Sequence, residues 1–248
     1  MTAPYITLSS TISLDGYLDT ADPPRLRLSN DADFDRVDNL RAQNDAIVVG
    51  ARTVRRDNPR LLVRSELRQN RRESAGLTRS PWKVTVTASG DLDPRAALFA
   101  DDDTMKLVYC PTSQSTGLRR RLGGAVIVVG LGEEVAMSAL VADLSDRGVR
   151  RLMVEGGGVT LTQFLAASLA DELQLAIAPF FVGDSSAPRF VGDAAFPWTS
   201  DRRAALAETR MIGDIVLLRY ALSSRFRHDA GDTSGPAPAL RRLATRMS

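Results

Sequence analysis

Leu152-Met153-Val154-Glu155-Gly156-Gly157-Gly158 is the stretch whose reading decides the fold. Three apolar residues lead to a carboxylate and three successive glycines, after which Leu161, Phe164 and Leu165 recur at helical spacing. That order describes a buried strand, a tight turn and a helix packed by one face. A single glycine satisfies a turn that needs positive φ. Three leave bare amides at the positive end of a helix dipole, which favours an anionic phosphate by about 0.3–1 kcal/mol per exposed charge. Glu155, at the strand tip, is then placed to meet hydroxyl or amino groups of a ligand.

The same alternation extends in both directions. Tyr5–Leu8, Ala46–Val49, Val84–Thr87, Leu107–Tyr109 and Val126–Val129 are short apolar runs ending in glycine or polar residues, the pattern of buried strands. Helices are predicted between most of them. One carries Phe34, Val37, Leu40 and Arg41 after a cap at Ser29 or Asn30, and another spans Glu134–Asp146 and closes at Gly148. Strands alternating with helices predict an α/β fold with a mostly parallel sheet covered on both faces. The pattern changes near the end. Glu172–Val182 alternates, and Met211-Ile212-Gly213-Asp214 joins a strand near Ala207–Arg210 to Ile215–Leu222, which predicts an antiparallel edge. Ligands of such a sheet bind beyond the carboxyl ends of its parallel strands, at Gly50–Thr53, Thr87–Gly90, Gly130–Gly132 and Glu155–Gly158.

Composition narrows the chemistry. The chain has 248 residues, 44% of them hydrophobic, with a net charge of +2 and a pI near 9.0. Five arginines against two aspartates follow Leu222, so the excess basicity sits in a tail, and the body does not suggest a nucleic-acid partner. Residues 1–222 are expected to form one domain. Residues 223–248 are expected to be a basic, disordered tail, either a non-catalytic extension or a contact arm. No early apolar stretch with a cleavage site and no membrane-length apolar run is present, and Cys110 is the only cysteine; all three suit a cytoplasmic protein. The only histidine is His228, in the tail, so a Ser-His-Asp triad and a histidine-rich metal site are both excluded and no metal is expected. Cys110 is expected to be a packed core thiol. No phosphate loop ending in Gly-Lys-Ser/Thr occurs, and Val129-Gly130-Leu131-Gly132 lacks the third glycine of a dinucleotide fingerprint and reads as a plain turn. Hydride transfer survives these exclusions, because its reactive atom belongs to a cofactor. Eight arginines lie between Arg52 and Arg72; those nearest the preceding strand suit a phosphate, while Arg68, Arg71 and Arg72 read as a solvated face of a loop.

Four stretches together resemble the pyrimidine reductase domain of riboflavin biosynthesis, a relative of dihydrofolate reductase. They are Ser13-Leu14-Asp15-Gly16, Leu40-Arg41-Ala42-Gln43 with Asp45–Gly50, Thr53–Arg64, and Val154-Glu155-Gly156-Gly157. The resemblance covers roughly residues 4–222 and implies a dihydrofolate reductase-like fold. It also implies NADPH-dependent reduction of the ribosylamino group of a phosphorylated pyrimidine to ribitylamino. Asn30, Arg41, Leu61, Arg64 and Glu155 are the implied substrate contacts. Thr53, Asp57, Thr87, Ser89, Gly156, Gly157, Gly158, Val159, Thr160, Leu161, Thr162 and Gln163 are the implied cofactor contacts. Arg41 and Arg64 would balance the phosphate, and Glu155 would orient or protonate the amine. A homodimer with the late strands at its interface is implied as well. The abundance of arginine favours the 2′-phosphorylated cofactor. Two departures stand out: Ser9 replaces a lysine common in the family, and Arg25 and Arg27 stand where Ser and Trp are common. No zinc deaminase signature is present. Reduction of dihydrofolate or another pterin, with Asp33 or Asp35 as the acid, and a non-catalytic nucleotide-binding protein are the alternatives.

Overall fold

In the computed structural model, which describes residues 3–226, nine strands form one sheet in the order β5-β4-β3-β2-β6-β1-β7-β9-β8. Chain order is β1 (Tyr5–Ser13), α1 (Asp31–Ala42), β2 (Ala46–Gly50), α2 (Ala51–Asp57), α3 (Glu66–Ser74), β3 (Trp82–Val86) and β4 (Lys106–Cys110). Then come α4 (Thr112–Leu122), β5 (Ile127–Gly130), α5 (Met137–Asp146), β6 (Arg151–Gly156), α6 (Gly158–Ala166), β7 (Glu172–Ala178), β8 (Ala205–Ile212) and β9 (Ile215–Ala221). Strands β1 to β7 pair in parallel, and β9 and β8 close the edge antiparallel. The expected α/β architecture with an antiparallel C-terminal edge is therefore present.

The central strands are apolar on both faces because both are covered. Ile6, Leu8, Leu152 and Val154 pack under Leu140 and Leu144 of α5 and Phe164 and Leu165 of α6. On the opposite face Ile47, Val49 and Met153 meet Leu40 of α1, Val54 of α2 and Leu118 of α4. Cys110 is a fully buried free thiol, and burial pushes its pKa up. Pro179 ends β7, and Gly213, at φ 63°, leads the two-residue turn between β8 and β9.

Residues 66–74, expected as loop, form α3, and α5 starts at Met137 rather than Glu134. Ser65 caps α3 by accepting from the Arg68 amide. Arg68 and Arg72 are not a solvated face. Arg68 grips both carboxylate oxygens of Asp35 and also Asp38. Arg72 is buried and donates to the carbonyls of Ala42, Asn44 and Thr78, so it ties the end of α1 to α3. Ser223 and Arg225 dock on the Asp171 carboxylate, which also accepts the Ile6 amide. The rest of the expected tail, 227–248 with His228, lies outside the described residues.

The only two lysines, Lys83 and Lys106, are both buried and converge on one carboxylate, Asp102, at 2.5 and 3.2 Å. Burial lowers the Lys83 pKa, against the pull of Asp102. Burial also acts to raise that of Asp102, but hydrogen bonds from Lys83 and Thr104 outweigh it and bring it to about 2. Asp102→Asn leaves two buried ammonium groups without a counter-charge, so urea unfolding should show a loss of about 3 kcal/mol. Because the folded-state pKa is depressed, the contribution of Asp102 is present above the ordinary carboxylate range and lost as pH falls toward about 2. The acid limb of stability should therefore be flatter in the variant.

Candidate active site

Strand β6 runs between β2 and β1, so its carboxyl end lies at the middle of the sheet. A bulge pairs Val48 with Val154 but Val49 with Gly156, leaving Glu155 as the extra residue. Its carboxylate takes both Nε and Nη2 of Arg41, each at 2.6 Å. The two side chains are only 12% and 15% exposed. Burial disfavours the Arg41 charge, yet Glu155 outweighs it and the guanidinium is held above its ordinary range. Nη1 of Arg41 donates to the Leu62 carbonyl at 3.1 Å. That carbonyl is presented by a reversal in which Asn58 and Leu61 both have positive φ. Such a conformation costs a non-glycine residue about 1 kcal/mol. Leu61, an expected substrate contact, buries its side chain in the core.

Asp38, one turn before Arg41 on α1, accepts the Arg64 and Ser65 amides at 2.5 and 3.2 Å and so fixes the 62–65 segment along the helix. The Arg64 guanidinium lies over the Phe34 ring, 5.7 Å from its centroid. Asn30, also expected to touch substrate, holds the start of α1. It caps α1 through the Asp33 amide and donates to the Ile212 carbonyl and to Asp214, which ties α1 to the β8–β9 turn.

Each glycine after Glu155 has its own steric reason. Gly156 has φ 117°, which side chains disfavour. Gly157 donates its amide to Thr53 Oγ1 at 2.8 Å, and a Cβ there would meet that oxygen at 3.0 Å. A Cβ on Gly158 would lie 2.3 Å from the Arg189 carbonyl oxygen. Along α6, Thr160 is buried against Gly50 and Leu161 lies in the core, while Thr162 bonds Gly158 and the Gly192 amide. Val159 and Gln163 are exposed. At the tip of β3, Thr87 is buried and accepts the Gly90 amide, whereas Ser89 is exposed. Asp57, at the end of α2, pairs with Arg25 at 3.3 Å; burial raises its pKa despite that partner.

Helix capping separates two groups. α1 and α3 carry side-chain caps, whereas α2, α4, α5 and α6, which leave the carboxyl edge of the sheet, have none. The Gly158, Val159 and Thr160 amides head α6 at the positive end of its dipole. The donor set at this edge thus fits the diphosphate of a dinucleotide cofactor. Among the described residues no group of three potential metal ligands occurs, and no helix is long and apolar enough to cross a membrane.

The model of the RibD C-terminal domain matches residues 4–218. The chain belongs to this family. The 2,5-diamino-6-ribosylamino-4(3H)-pyrimidinone 5′-phosphate reductase of Archaeoglobus fulgidus is 32% identical over 224 residues, covering 90% of this chain and 98% of that one. Its counterpart from Methanothermobacter thermautotrophicus is 30% identical, covering 88% and 98%. A pyrimidine reductase-like protein of Corynebacterium diphtheriae has the same fold, with a TM-score of 0.71 at 24% identity over 88% of this chain and 91% of that one. RibD of Acinetobacter baumannii gives the same score, and this chain spans 58% of its length.

In this RibD C-terminal domain chain, several fixing groups lie outside the expected set. Asp15 of the Ser-Leu-Asp-Gly motif accepts from Ser13 Oγ and from the Val182 and Gly183 amides, clamping the loops after β1 and β7 together. Burial acts to raise its pKa, but these donors together outweigh it and bring it to about 2. Asp38 and Phe34 had a visible signal, since both lie on the helix face of Arg41 at intervals of three and four residues.

Two outcomes test this geometry. A double-mutant cycle of Arg41→Met and Glu155→Gln, followed by urea unfolding, should give a coupling of about 2 kcal/mol; additivity within about 0.5 kcal/mol would deny the pair. Gly158→Ala should destabilise by about 1–3 kcal/mol, because the backbone at Arg189 must move, and crystallography should show residues 189–192 displaced.

Proposed function

We propose that this chain is an oxidoreductase of riboflavin biosynthesis. It reduces the ribosylamino group of 2,5-diamino-6-ribosylamino-4(3H)-pyrimidinone 5′-phosphate, or of the corresponding 5-amino uracil, to ribitylamino at the expense of NADPH. The observation that carries the reading is the Glu155–Arg41 pair at the end of the central strand, directly before a helix whose amides have no side-chain cap. The printed activity of the two archaeal relatives, which match this chain over nearly their whole length, supports it.

The residues divide the work. Bound NADPH would supply a hydride for C1′ of the ring-opened iminium form of the sugar, whose nitrogen already carries its proton and so becomes the amine, while the freed ring oxygen takes a proton from water. Glu155, held from behind by Arg41, offers carboxylate lone pairs to the N–H groups of the substrate and so orients the reacting carbon–nitrogen bond. Tied to Arg41 in this way it acts as an acceptor rather than as the proton donor. The α6 amides and the exposed Ser89 hydroxyl would hold the cofactor, with Thr53 and Asp57 shaping the wall between α2 and the glycine turn. Arg64, exposed beyond the pair, meets the substrate phosphate. The working form is a cytoplasmic homodimer joined through the late strands. The edge strand β8 exposes Leu206 and Met211, which supports that interface.

Reduction of dihydrofolate is disfavoured by the two acids that could serve it. Asp33 is buried and accepts from Thr11, Ser29 and Arg36, and Asp35 is held by Arg68.

Steady-state oxidation of NADPH and NADH with the phosphorylated diamino pyrimidine, its uracil counterpart and dihydrofolate tests the proposal. Turnover is expected with the pyrimidines and NADPH, and Glu155→Gln should lower kcat/KM by about 100-fold. Turnover of dihydrofolate alone would overturn the assignment.

A further inference from the structure

Helix α1 runs from the Glu155–Arg41 pair toward a second set of cations. Phe34 and Arg41 are seven residues apart, two turns along the same helix face, so the Phe34 ring lies about 10 Å along the axis from the pair. Two guanidinium groups gather on that ring, Arg27 at 5.3 Å and Arg64 at 5.7 Å from its centroid. Such stacking orients a guanidinium through its face and leaves its N–H edge to hydrogen-bond, as Arg27 does to the Ser29 carbonyl at 3.2 Å and to Asp31 at 2.5 Å.

Their pairing differs from that of the neighbouring arginines. Arg25, Arg36, Arg41, Arg56 and Arg68 each reach a carboxylate that is mostly buried. Arg64 has no carboxylate within ion-pair distance among the described residues. Arg27 has only Asp31, whose side chain is 95% exposed, while its own is 64% exposed. An ion pair so open to water contributes little and is readily exchanged. Two like charges are thus held against one aromatic ring, and the one carboxylate that either reaches is the exposed Asp31, on Arg27.

We infer that Arg27 and Phe34, with Arg64, form the phosphate end of the substrate groove, and that Arg27 exchanges Asp31 for the substrate phosphate. The inference rests on the proposed reduction of a phosphorylated substrate. Glu155 and Arg41 would engage the amine end of the opened sugar, and the stacked cations the other end. Arg27 is then a specificity-determining residue that distinguishes the phosphorylated compound from its nucleoside-like form.

The test compares wild type, Arg27→Ala, Arg27→Lys and Phe34→Leu on the phosphorylated pyrimidine and on the same compound without phosphate. Ribose 5-phosphate binding is measured by calorimetry alongside. Arg27→Ala should raise KM for the phosphorylated substrate about tenfold with kcat within about twofold, and leave kcat/KM for the dephosphorylated one unchanged. Arg27→Lys should recover part of the loss, and Phe34→Leu should weaken ribose 5-phosphate binding in the same direction. An unchanged KM in Arg27→Ala, or an equal loss on both substrates, overturns the inference. If wild type reduces neither pyrimidine, the reductase reading fails; ribose 5-phosphate binding that still depends on Arg27 would then leave the anion site standing.

Discussion

Strand β6 enters the sheet between β1 and β2, and both of its neighbours run parallel to it. A parallel strand in that position must be apolar on both faces until it emerges, and Leu152, Met153 and Val154 meet that demand. The first residue free of it is Glu155. A carboxylate leaving the core at the middle of a nine-stranded sheet needs a partner, because an unpaired buried charge costs several kcal/mol. Helix α1 supplies it in Arg41. The Arg41 pair therefore fixes how α1 lies on the sheet, and α1 in turn carries Asp38, Phe34 and the Asn30 cap into their places.

Arginine is used in three ways along this helix. Arg72 is buried and satisfied by carbonyls, so it acts as a staple between α1 and α3. Arg36 and Arg41 are buried against carboxylates under or beside the helix. Arg27 and Arg64 remain open at its amino-terminal half. The gradient from satisfied to open charge follows the path from the sheet to solvent. It explains how a body close to neutral can still hold a local excess of positive charge where an anionic ligand would approach.

Much of this architecture is legible in the residues. The strands, the antiparallel edge and the packed thiol follow from apolar runs, alternation and the Gly213-Asp214 turn, which are local signals. Helices α2, α3 and α4 are less so. Their sequences, A-R-T-V-R-R-D, E-L-R-Q-N-R-R-E-S and T-S-Q-S-T-G-L-R-R-R-L, bury few apolar groups and pack partly through arginine, so few apolar positions mark them as helices. Pairing is less legible still. Nothing local in Asp102 announces that it receives both lysines, and nothing in Asn30 announces a bond to Ile212, since each depends on elements far apart in the chain.

The glycine turn shows why a motif can be recognised before its cause is known. From the sequence alone, three glycines suggest one purpose, the exposure of amides to an anion. In the structure they answer three separate constraints: the positive φ of Gly156, the Thr53 hydroxyl against Gly157, and the Arg189 carbonyl against Gly158. These constraints do not compete with anion binding. They draw α2 and the 189–192 loop against the start of α6, leaving Val159 exposed at its first turn. A side chain at any of the three would push one of those walls away. The dipole and the amides would persist, but the walls that enclose the start of α6 beside Glu155 would not.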